Sequence, residues 1–343
     1  MNSSISVLLI LLLGLHLISA ASAHPGEADD VLKIHTLSET SPFQDCLSFS
    51  YYNQNCPDAE AIINRKLKEW FQKDYTLAAS LIRLHFHDCS VRGCDGSVLL
   101  DHEGSERTAE VSRTLRGFEV IDDIKAEIEK KCPHTVSCAD ILTAAARDAT
   151  VFVGGPYWAV EYGRKDGVVS LAKEAESVPM GHEDVTSMIE FFQSKGLNVV
   201  DLAILSGAHT IGRASCGSIQ QRLFNYSGTP GKSDPSIDPK YFNFLKRKCR
   251  WASELVELDA TTPKTFDAVY YTNLPKKMGL LSSDAKLFSD PRTAPLVNAL
   301  AYQPSLFLYQ FGVSMAKLGN VQVLTGPHEG EIRAKCNFVN SHK

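Results

Sequence analysis

The stretch from Ser80 to Ser97 constrains this chain more strongly than any other part of its sequence. It begins with apolar residues at helical spacing and ends in a loop with two cysteines, two carboxylates and two glycines. Arg83 and His87 are four residues apart, so a helix places them on one face. A basic imidazole beside a fixed cation suits a reaction that removes a proton and stabilises the anion left behind. An isolated Arg-x-x-x-His is more often an ordinary surface pair, so the loop that follows decides the interpretation.

That loop supplies hard oxygen ligands. Asp88, Asp95 and Ser97 carry side-chain oxygens of the kind that Ca²⁺ binds, and Gly93 and Gly96 permit tight backbone turns. One short stretch is therefore predicted to carry an acid–base pair, a metal-binding loop and room for a small disulfide ring.

The N-terminus predicts secretion. Val7 to Ile18 is an apolar run too short to span a bilayer, and Ala21 to Ala23 supplies the small residues of a cleavage site. Residues 1–23 are predicted to be a signal peptide, with a buried N-terminal helix as the alternative. Residues 24–46 are polar without sustained periodicity and are interpreted as a flexible extension or pro-segment. Residues 47–343 form the remaining domain.

Nine cysteines become informative if the chain enters an oxidising compartment, where disulfides form. Cys46 lies in the N-terminal extension, where a free or intermolecular thiol is easiest to tolerate. The sequence alone does not choose among the many pairings of the other eight. These eight are Cys56, Cys89, Cys94, Cys132, Cys138, Cys216, Cys249 and Cys336.

Composition and periodicity indicate a mainly α-helical protein. The 343 residues suffice for one large domain or two ordinary ones, and a net charge of −5 gives no support to nucleic-acid or membrane-surface binding. Little of the chain shows a clear strand pattern. Apolar spacing predicts helices from Asp58, from Ser80 to about Asp88, and over Phe118–Ile128, Ala139–Ala149, Val185–Phe192, Val200–Leu205, Tyr241–Lys248, Asp267–Met278 (with Pro275 bending or ending it) and Pro304–Leu318.

A second histidine stands in a setting of small residues. His209 follows Ser206, Gly207 and Ala208, whose size would let a large flat ligand approach closely. Taken alone, His209 is as well explained by a core position as by metal ligation. Asp284 is a lone acid whose ordinary interpretation is a helix N-cap.

A second run of oxygen-bearing residues lies further along the chain. It consists of Asp259, Thr262, Thr265 and Asp267. The run is typical of a turn with helix-capping residues. Together with Thr210, beside His209, it could instead complete a second Ca²⁺ site.

Seven motifs taken in order resemble the secretory plant haem peroxidases (class III, horseradish-peroxidase type), over roughly residues 47–340. They are Arg-Leu-His-Phe-His-Asp-Cys, Gly-Cys-Asp-Gly-Ser, Val-Ser-Cys-Ala-Asp-Ile-Leu, Gly-Gly-Pro, Gly-Arg-Lys-Asp-Gly, Leu-Ser-Gly-Ala-His-Thr-Ile-Gly and Thr-Phe-Asp-x-x-Tyr-Tyr. The resemblance implies an all-α (mainly α) plant haem-peroxidase fold. One haem b would lie between distal and proximal helical halves, with four disulfides and two structural Ca²⁺ ions.

The resemblance also implies roles for individual residues. His87 would be the distal base, Arg83 its cationic partner, and Phe86 would pack over the distal haem face. His209 would be the proximal iron ligand, and Asp284 would accept its Nδ1 proton.

Further positions are implied in the same way. The distal Ca²⁺ site would use Asp88, the Val91 and Gly93 carbonyls, Asp95 and Ser97, and the proximal site Thr210, Asp259, Thr262, the Thr265 carbonyl and Asp267. The disulfides would be Cys56–Cys132, Cys89–Cys94, Cys138–Cys336 and Cys216–Cys249, which leaves Cys46 unassigned. Pro179 falls at the substrate-edge proline of the family.

The implied activity is that of a donor:hydrogen-peroxide oxidoreductase. It would reduce hydrogen peroxide to water and oxidise small phenolic donors in two one-electron steps through ferryl intermediates. The alternative is a haem-binding protein of the same fold with little or no turnover. A non-enzymatic Ca²⁺-binding wall or lectin-like module would have no use for Arg83, His87 and His209 together.

One position departs from the family pattern. The asparagine whose carbonyl accepts the Nδ1–H of the distal histidine is replaced by Ser112, while Glu106 keeps the acid of that loop. A hydroxyl reaches less far than an amide, so the sequence predicts weaker orientation of His87 and slower peroxide cleavage. At the substrate edge, Pro179 lacks the second proline often seen there and Glu110 adds a charge, so we expect a different donor preference.

The remaining expectations concern processing and location. Asn225 begins a glycosylation sequon in a predicted loop. No long apolar tail follows Cys336, so the extracellular space (cell wall or apoplast) is preferred to the vacuole. We expect a monomer that binds no nucleic acid and, after removal of the signal, no membrane.

Overall fold

The computed structural model describes residues 47–340, so the predicted signal peptide, the extension and Cys46 lie outside the described residues. Helices dominate this part of the chain. They are α1 (Ala59–Lys73), α2 (Leu77–Val91), α3 (Phe118–Lys131), α4 (Cys138–Phe152), α5 (Ala172–Ala175), α6 (Val185–Ser194), α7 (Val199–Ser206), α8 (Gln220–Phe224), α9 (Pro239–Lys248), α10 (Val269–Asn273), α11 (Ser282–Ser289), α12 (Ala294–Tyr302) and α13 (Pro304–Gly319). Short 3₁₀ turns cover Ser97–Leu99, Glu106–Thr108, Glu110–Ser112, Gly207–Thr210, Cys216–Ile219 and Tyr226–Gly228. This confirms the mainly α-helical prediction.

Local sequence explains several helix starts. The Ser137 hydroxyl accepts a hydrogen bond from the Asp140 N–H at 3.1 Å and caps α4. Asn198 and Asp201 form a reciprocal capping box at the start of α7. Pro304 occupies the first position of α13, where its missing N–H costs no helical hydrogen bond.

Several parts of the helical prediction differ from the structure. The helix expected over residues 267–278 is only Val269–Asn273, because the chain leaves the helix before Pro275. Helices α11 and α12 were not predicted. Helix α11 has too few apolar residues for a clear period, whereas α12 is apolar at nearly every position, so neither shows a single apolar face. In addition, α2 continues three residues past Asp88, to Val91.

The helix that carries Arg83 and His87 packs against α4. Ala144, Ala145 and Ala146 of α4 are fully buried, and their small side chains let the two helices approach closely. Leu81 and Leu84 of α2 are equally buried in the same core. Helices α1, α5 and α13 also pack against α2, so α2 is held on several sides.

A short antiparallel pair joins two distant parts of the chain. Strand β1 (Arg213–Ser215) pairs with β2 (Leu255–Glu257), with Arg213 opposite Glu257. Just beyond this pairing, the Leu258 N–H donates to the Gly212 carbonyl at 3.0 Å. The pair therefore brings the segment after His209 alongside the segment before Asp259.

Within residues 47–340 the structure contains four disulfides: Cys56–Cys132, Cys89–Cys94, Cys138–Cys336 and Cys216–Cys249. These are the pairs that the resemblance implies.

The C-terminal segment is also hydrogen-bonded to the loop after α2. The Arg333 guanidinium donates to the Gly96 carbonyl at 2.5 Å, and the Cys94 N–H donates to the Val321 carbonyl at 3.0 Å.

Candidate active site

Helix α2 presents Arg83 and His87 one turn apart, and Arg83 is held from outside the helix. Its Nη2 donates to the Val111 carbonyl at 2.8 Å and its Nη1 donates to the Thr114 hydroxyl at 2.9 Å. Burial lowers the pKa of Arg83 to about 10, so the guanidinium keeps its charge at neutral pH. A fixed cation therefore lies on the face of α2 that carries His87.

His87 is buried and uncharged at neutral pH. Its exposed fraction is 3%. Burial, followed by the charge of Arg83, lowers the pKa of His87 to about 3. Neither His87 Nδ1 nor Ser112 Oγ has a hydrogen-bond partner among residues 47–340, although both atoms are buried. Packing alone therefore orients the imidazole.

Phe86 packs on the aromatic side chains of α6. Its ring centroid lies 6.5 Å from that of Phe191 and 6.3 Å from that of Phe192. A small apolar cluster that includes Val111 and Val178 also contacts Phe86. This cluster connects the segment that holds Arg83 with the segment that leads to Pro179.

His209 is bonded to a buried carboxylate. Its Nδ1 lies 2.8 Å from Asp284 Oδ1, which also accepts the Tyr270 hydroxyl at 2.9 Å. Asp284 Oδ2 accepts the Leu281 N–H at 3.0 Å. Asp284 is thus the third residue of α11, not its N-cap. Its carboxylate accepts hydrogen bonds both from the backbone at the start of the helix and from the histidine.

The His209–Asp284 pair polarises the imidazole. Burial lowers the pKa of His209, but the carboxylate raises it by more, so the pKa lies above the ordinary value. Burial alone would raise the pKa of Asp284, yet its pKa is lowered by His209 and the donated hydrogen bonds. The His209 side chain is 34% exposed. Because Nδ1 faces the buried carboxylate, the accessible edge is the one that carries Nε2, the nitrogen available to a metal.

The small size of Gly207 has a packing role that was not predicted from the sequence. A Cβ on Gly207 would lie 2.3 Å from the Tyr271 hydroxyl and 2.5 Å from the Phe307 ring. Gly207 therefore permits close packing of this segment against the core, and the expectation that the small residues here let a flat ligand approach stays a prediction.

The last turn of α2 and the loop that follows it carry buried acids. Asp88 Oδ2 accepts the Gly96 N–H at 2.9 Å, and Asp95 Oδ1 accepts the Ser97 N–H at 2.9 Å. Burial raises the pKa of both acids, and the Asp95 charge raises that of Asp88 further. The Ser97 hydroxyl oxygen is buried without a partner in the described part of the chain. Buried, mutually repelling carboxylates beside an unused oxygen suit a hard cation.

Glu106 belongs to the same group of acids. It is fully buried, its Oε1 accepts the Ser170 hydroxyl at 3.2 Å, and its Oε2 has no partner among the described residues. Burial raises its pKa to about 7, with the Asp95 charge adding to the rise. The Val91 carbonyl, by contrast, accepts the Lys195 ammonium at 3.0 Å, so a cation there would share this oxygen with a positive charge.

The second oxygen run closes around Thr210. Asp267 Oδ1 accepts the hydroxyls of Thr210 at 3.3 Å and Thr262 at 3.1 Å. Asp259 Oδ1 accepts the Thr262 N–H at 3.2 Å, and burial raises the pKa of Asp259. The predicted residues Thr210, Asp259, Thr262 and Asp267 therefore lie together, because the β1–β2 pair joins their segments. The Thr265 N–H donates to the Thr262 carbonyl, which closes the turn.

Both candidate calcium sites rest on a mixed set of oxygens. Among the described residues, no three His, Cys, Asp or Glu side chains converge as a metal centre. Each predicted site would instead combine two aspartates with hydroxyl and carbonyl oxygens, a donor set that favours Ca²⁺ over softer metals.

The segment after Pro179 is tied to α11. The Glu183 carboxylate accepts the N–H groups of Met180 at 2.7 Å and Gly181 at 2.8 Å, and the Ser283 N–H donates to the Gly181 carbonyl at 3.0 Å. Met180 is exposed. The predicted substrate edge is thus connected to the helix that carries Asp284.

Comparison with known proteins agrees with these features. A family model described as Peroxidase matches residues 63–303. Peroxidase 7 of Arabidopsis thaliana is 57% identical over 323 residues, 94% of this chain and 91% of that protein. The chain belongs to the class III plant peroxidases. Peroxidase 56 of Arabidopsis thaliana is 44% identical over 300 residues, 86% of this chain and 91% of that protein. Peroxidase 1 of Oryza sativa subsp. japonica is 42% identical over 305 residues, 86% of this chain and 93% of that protein.

Family membership establishes the general activity. This peroxidase binds haem, consumes hydrogen peroxide and oxidises a donor. None of the helices in residues 47–340 is both long and apolar enough to cross a membrane.

Sequence reasoning missed several contacts of the site. Tyr270 stands in the quoted Thr-Phe-Asp-x-x-Tyr-Tyr motif, but its hydrogen bond to Asp284 was not anticipated. The Val111 carbonyl that holds Arg83 left no signal at all, because every residue carries a carbonyl and only the fold selects one.

Proposed function

We propose that this peroxidase is a secreted, extracellular enzyme that oxidises small phenolic donors in two one-electron steps, with one haem b and two Ca²⁺ ions per chain. The observation that carries the proposal is the pairing of two histidine environments. Arg83 and His87 form a neutral base beside a cation, while His209 and Asp284 form a polarised imidazole with an accessible nitrogen.

The residues around His209 suit a haem iron. Its Nδ1 proton is held by Asp284, which leaves the Nε2 lone pair for the metal and makes the imidazole a stronger electron donor. Tyr270 and the Leu281 N–H hold the carboxylate in place. Bound there, haem would supply the redox chemistry that the side chains lack.

On the distal side, His87 and Arg83 divide the work of breaking the peroxide bond. Neutral His87 takes a proton at Nε2 from one peroxide oxygen and returns it to the other, which leaves as water. The Arg83 guanidinium stabilises the negative charge that develops on the departing oxygen. Its bonds to Val111 and Thr114 keep it in place without reorganisation.

The Ca²⁺ ions would be structural. Asp88, Asp95 and Ser97, with the Val91 and Gly93 carbonyls, would hold one ion directly after the helix of His87. Thr210, Asp259, Thr262 and Asp267, with the Thr265 carbonyl, would hold the other beside His209. Each ion would neutralise acids that otherwise repel one another in a buried setting.

The remaining proposals concern donors and context. Donors would bind along the edge formed by Pro179 and Met180. Residues 1–23 would be removed as a signal peptide and residues 24–46 would be an extension or pro-segment. Asn225, exposed in its loop, would carry a glycan. The mature enzyme would be a monomer without affinity for nucleic acid or membranes.

Two variants of the haem-loaded enzyme test the assignment. His87→Leu is expected to lower kcat/KM for hydrogen peroxide by about 10²–10⁴-fold, the usual contribution of a general acid–base group. Arg83→Leu is expected to cost about 10²-fold through lost charge stabilisation. His102→Leu changes an exposed histidine and serves as the control. Absorbance spectra confirm that haem remains bound. Full activity of His87→Leu with haem in place would contradict the proposal.

A further inference from the structure

An open cleft of about 450 Å³ lies between α1, α4 and the segment that follows α4. Its polar lining comes from Glu60, Asn64 and Arg65 of α1 and from Arg147 and Asp148 of α4, and an aromatic ring, Tyr157, closes one side. None of these residues belongs to either histidine environment. The volume lies within the range of small-ligand pockets, which is about 300–1,000 Å³.

Tyr157 offers a flat apolar surface at this cleft. Tyr157 is 66% exposed. The Arg147 guanidinium carbon lies 5.1 Å from the ring centroid, which holds the ring through a cation–π contact. Val151, also exposed, extends the apolar area. One element of the cleft is therefore a platform for the flat face of a ligand.

The polar groups around the platform are fixed by one another. Arg147, only 3% exposed, donates from Nε to Asp148 Oδ1 at 2.8 Å and from Nη1 to Glu60 Oε1 at 2.8 Å. The Asn64 amide donates to Asp148 Oδ2 at 3.0 Å. Within residues 47–340, the Arg147 Nη2 has no protein acceptor. A ligand would thus meet side chains that are already ordered, and binding would cost little conformational entropy.

The balance of charge restricts the kind of ligand. Two acids, Glu60 and Asp148, offset Arg147 and Arg65, and Arg65 also pairs with Glu69 at 2.8 Å. Neither arginine presents the free fork that binds a carboxylate or phosphate in bidentate fashion. The fixed charged side chains in the lining also disfavour a purely apolar molecule. The matching ligand is uncharged, apolar on its flat faces and rich in hydroxyl groups at its edges.

We propose that this cleft binds a neutral pyranose unit of a saccharide chain. The C–H face of the sugar ring would lie on Tyr157. Its hydroxyls would accept from Arg147 Nη2 and donate to the Glu60 and Asp148 carboxylates. The site would attach the enzyme to a polysaccharide through a surface that the peroxide chemistry leaves free.

Calorimetric titration of the haem-loaded, full-length enzyme with cellotetraose tests the proposal. We expect binding with a Kd of about 1 mM or tighter. Tyr157→Ala should weaken it at least about tenfold because the platform is lost, while Tyr157→Phe, which keeps the ring, should stay within about twofold. Tyr302→Ala removes an even more exposed tyrosine outside the cleft and is the matched control. Peroxide consumption should be unchanged in all three variants.

Three results would overturn the inference. Cellotetraose could fail to bind, or it could bind Tyr157→Ala as tightly as the unaltered enzyme, which would place any sugar site elsewhere. Tetragalacturonate could bind more tightly than cellotetraose, which would assign the cleft to anions through Arg65 and Arg147. Because each result is read from binding, none depends on the residues proposed for peroxide cleavage.

Discussion

Replacing Ser112 by asparagine is expected to make this peroxidase consume hydrogen peroxide faster. His87 can act as a base at Nε2 only in the tautomer that carries its proton on Nδ1. In the structure Nδ1 has no acceptor among the described residues, and the Ser112 hydroxyl also lacks a partner. We expect an asparagine carbonyl at this position, which extends further than a hydroxyl, to accept the Nδ1 proton; this would fix the tautomer and stabilise the imidazolium formed during proton transfer.

The size of the effect follows from the cost of an unpaired buried donor, about 1–3 kcal/mol. At about 1.4 kcal/mol per tenfold in rate, this range corresponds to about 5- to 150-fold. We expect about tenfold, because Ser112 is 4% exposed and the larger side chain must displace its neighbours. That crowding should lower the unfolding free energy by about 1–3 kcal/mol.

Stopped-flow measurement of the second-order rate constant with hydrogen peroxide checks the prediction. Ser112→Ala is the matched control, since it removes a hydroxyl that bonds to nothing in the described chain, and its rate should stay within about twofold. An unchanged rate in Ser112→Asn would refute the reasoning. So would a slow Ser112→Ala, which would mean that the native hydroxyl already orients His87.

Three further predictions follow from the buried ionisable groups. Asp284→Asn should lower the pKa of His209, raise the reduction potential of the haem iron and slow peroxide consumption by about 10–100-fold. Spectroelectrochemistry would measure the potential and steady-state kinetics the rate. An unchanged potential would contradict the proposed role of the His209–Asp284 pair. Burial, aided by Arg164, lowers the pKa of His85 to about 3. Below about pH 6.5 the unfolded state therefore binds more protons than the folded state, so the free energy of unfolding should fall by about 1.4 kcal/mol for each further pH unit. Chemical denaturation at several pH values should find a smaller slope in His85→Asn. Chelation of Ca²⁺ should lower Tm more at about pH 8 than at about pH 6. The pKa of Glu106 is about 7, so the calcium-free fold keeps this side chain protonated at the lower pH but must bury its negative charge at the higher pH. An equal loss of Tm at both pH values would show that Glu106 ionisation is not coupled to the stability of the calcium-free fold.

The sequence was most informative where a short motif carries its own geometry. The spacing of Arg83 and His87 needs only a helix to place them on one face, and α2 provides it. The acids of the following loop are likewise close in sequence, so their proximity follows from the turn itself. Pairing of the eight cysteines went beyond such local reasoning, and only the family resemblance selected the four disulfides that the structure contains.

Contacts between distant segments depended on the fold. The 2.8 Å contact between His209 and Asp284 spans 75 residues, and nothing near Asp284 in the sequence distinguishes it from a helix-capping acid. The β1–β2 pair that brings Thr210 to Asp259 is too short to leave a strand pattern. The packing of Gly207 could not be predicted from the sequence either, because the side chains that leave no room for a Cβ there, Tyr271 and Phe307, lie far along the chain.

By itself, the sequence therefore determined the helical class, the Arg83–His87 face and the acidic loop, since each depends on periodicity or spacing within a few turns. Only the tertiary structure decided which carbonyl holds Arg83, that His87 Nδ1 has no partner among residues 47–340, and that Tyr157 lies beside an open cleft with charged side chains. The physical reason is that backbone groups are the same in every residue and side-chain environments are set by packing, so their partners are selected only when distant segments come together.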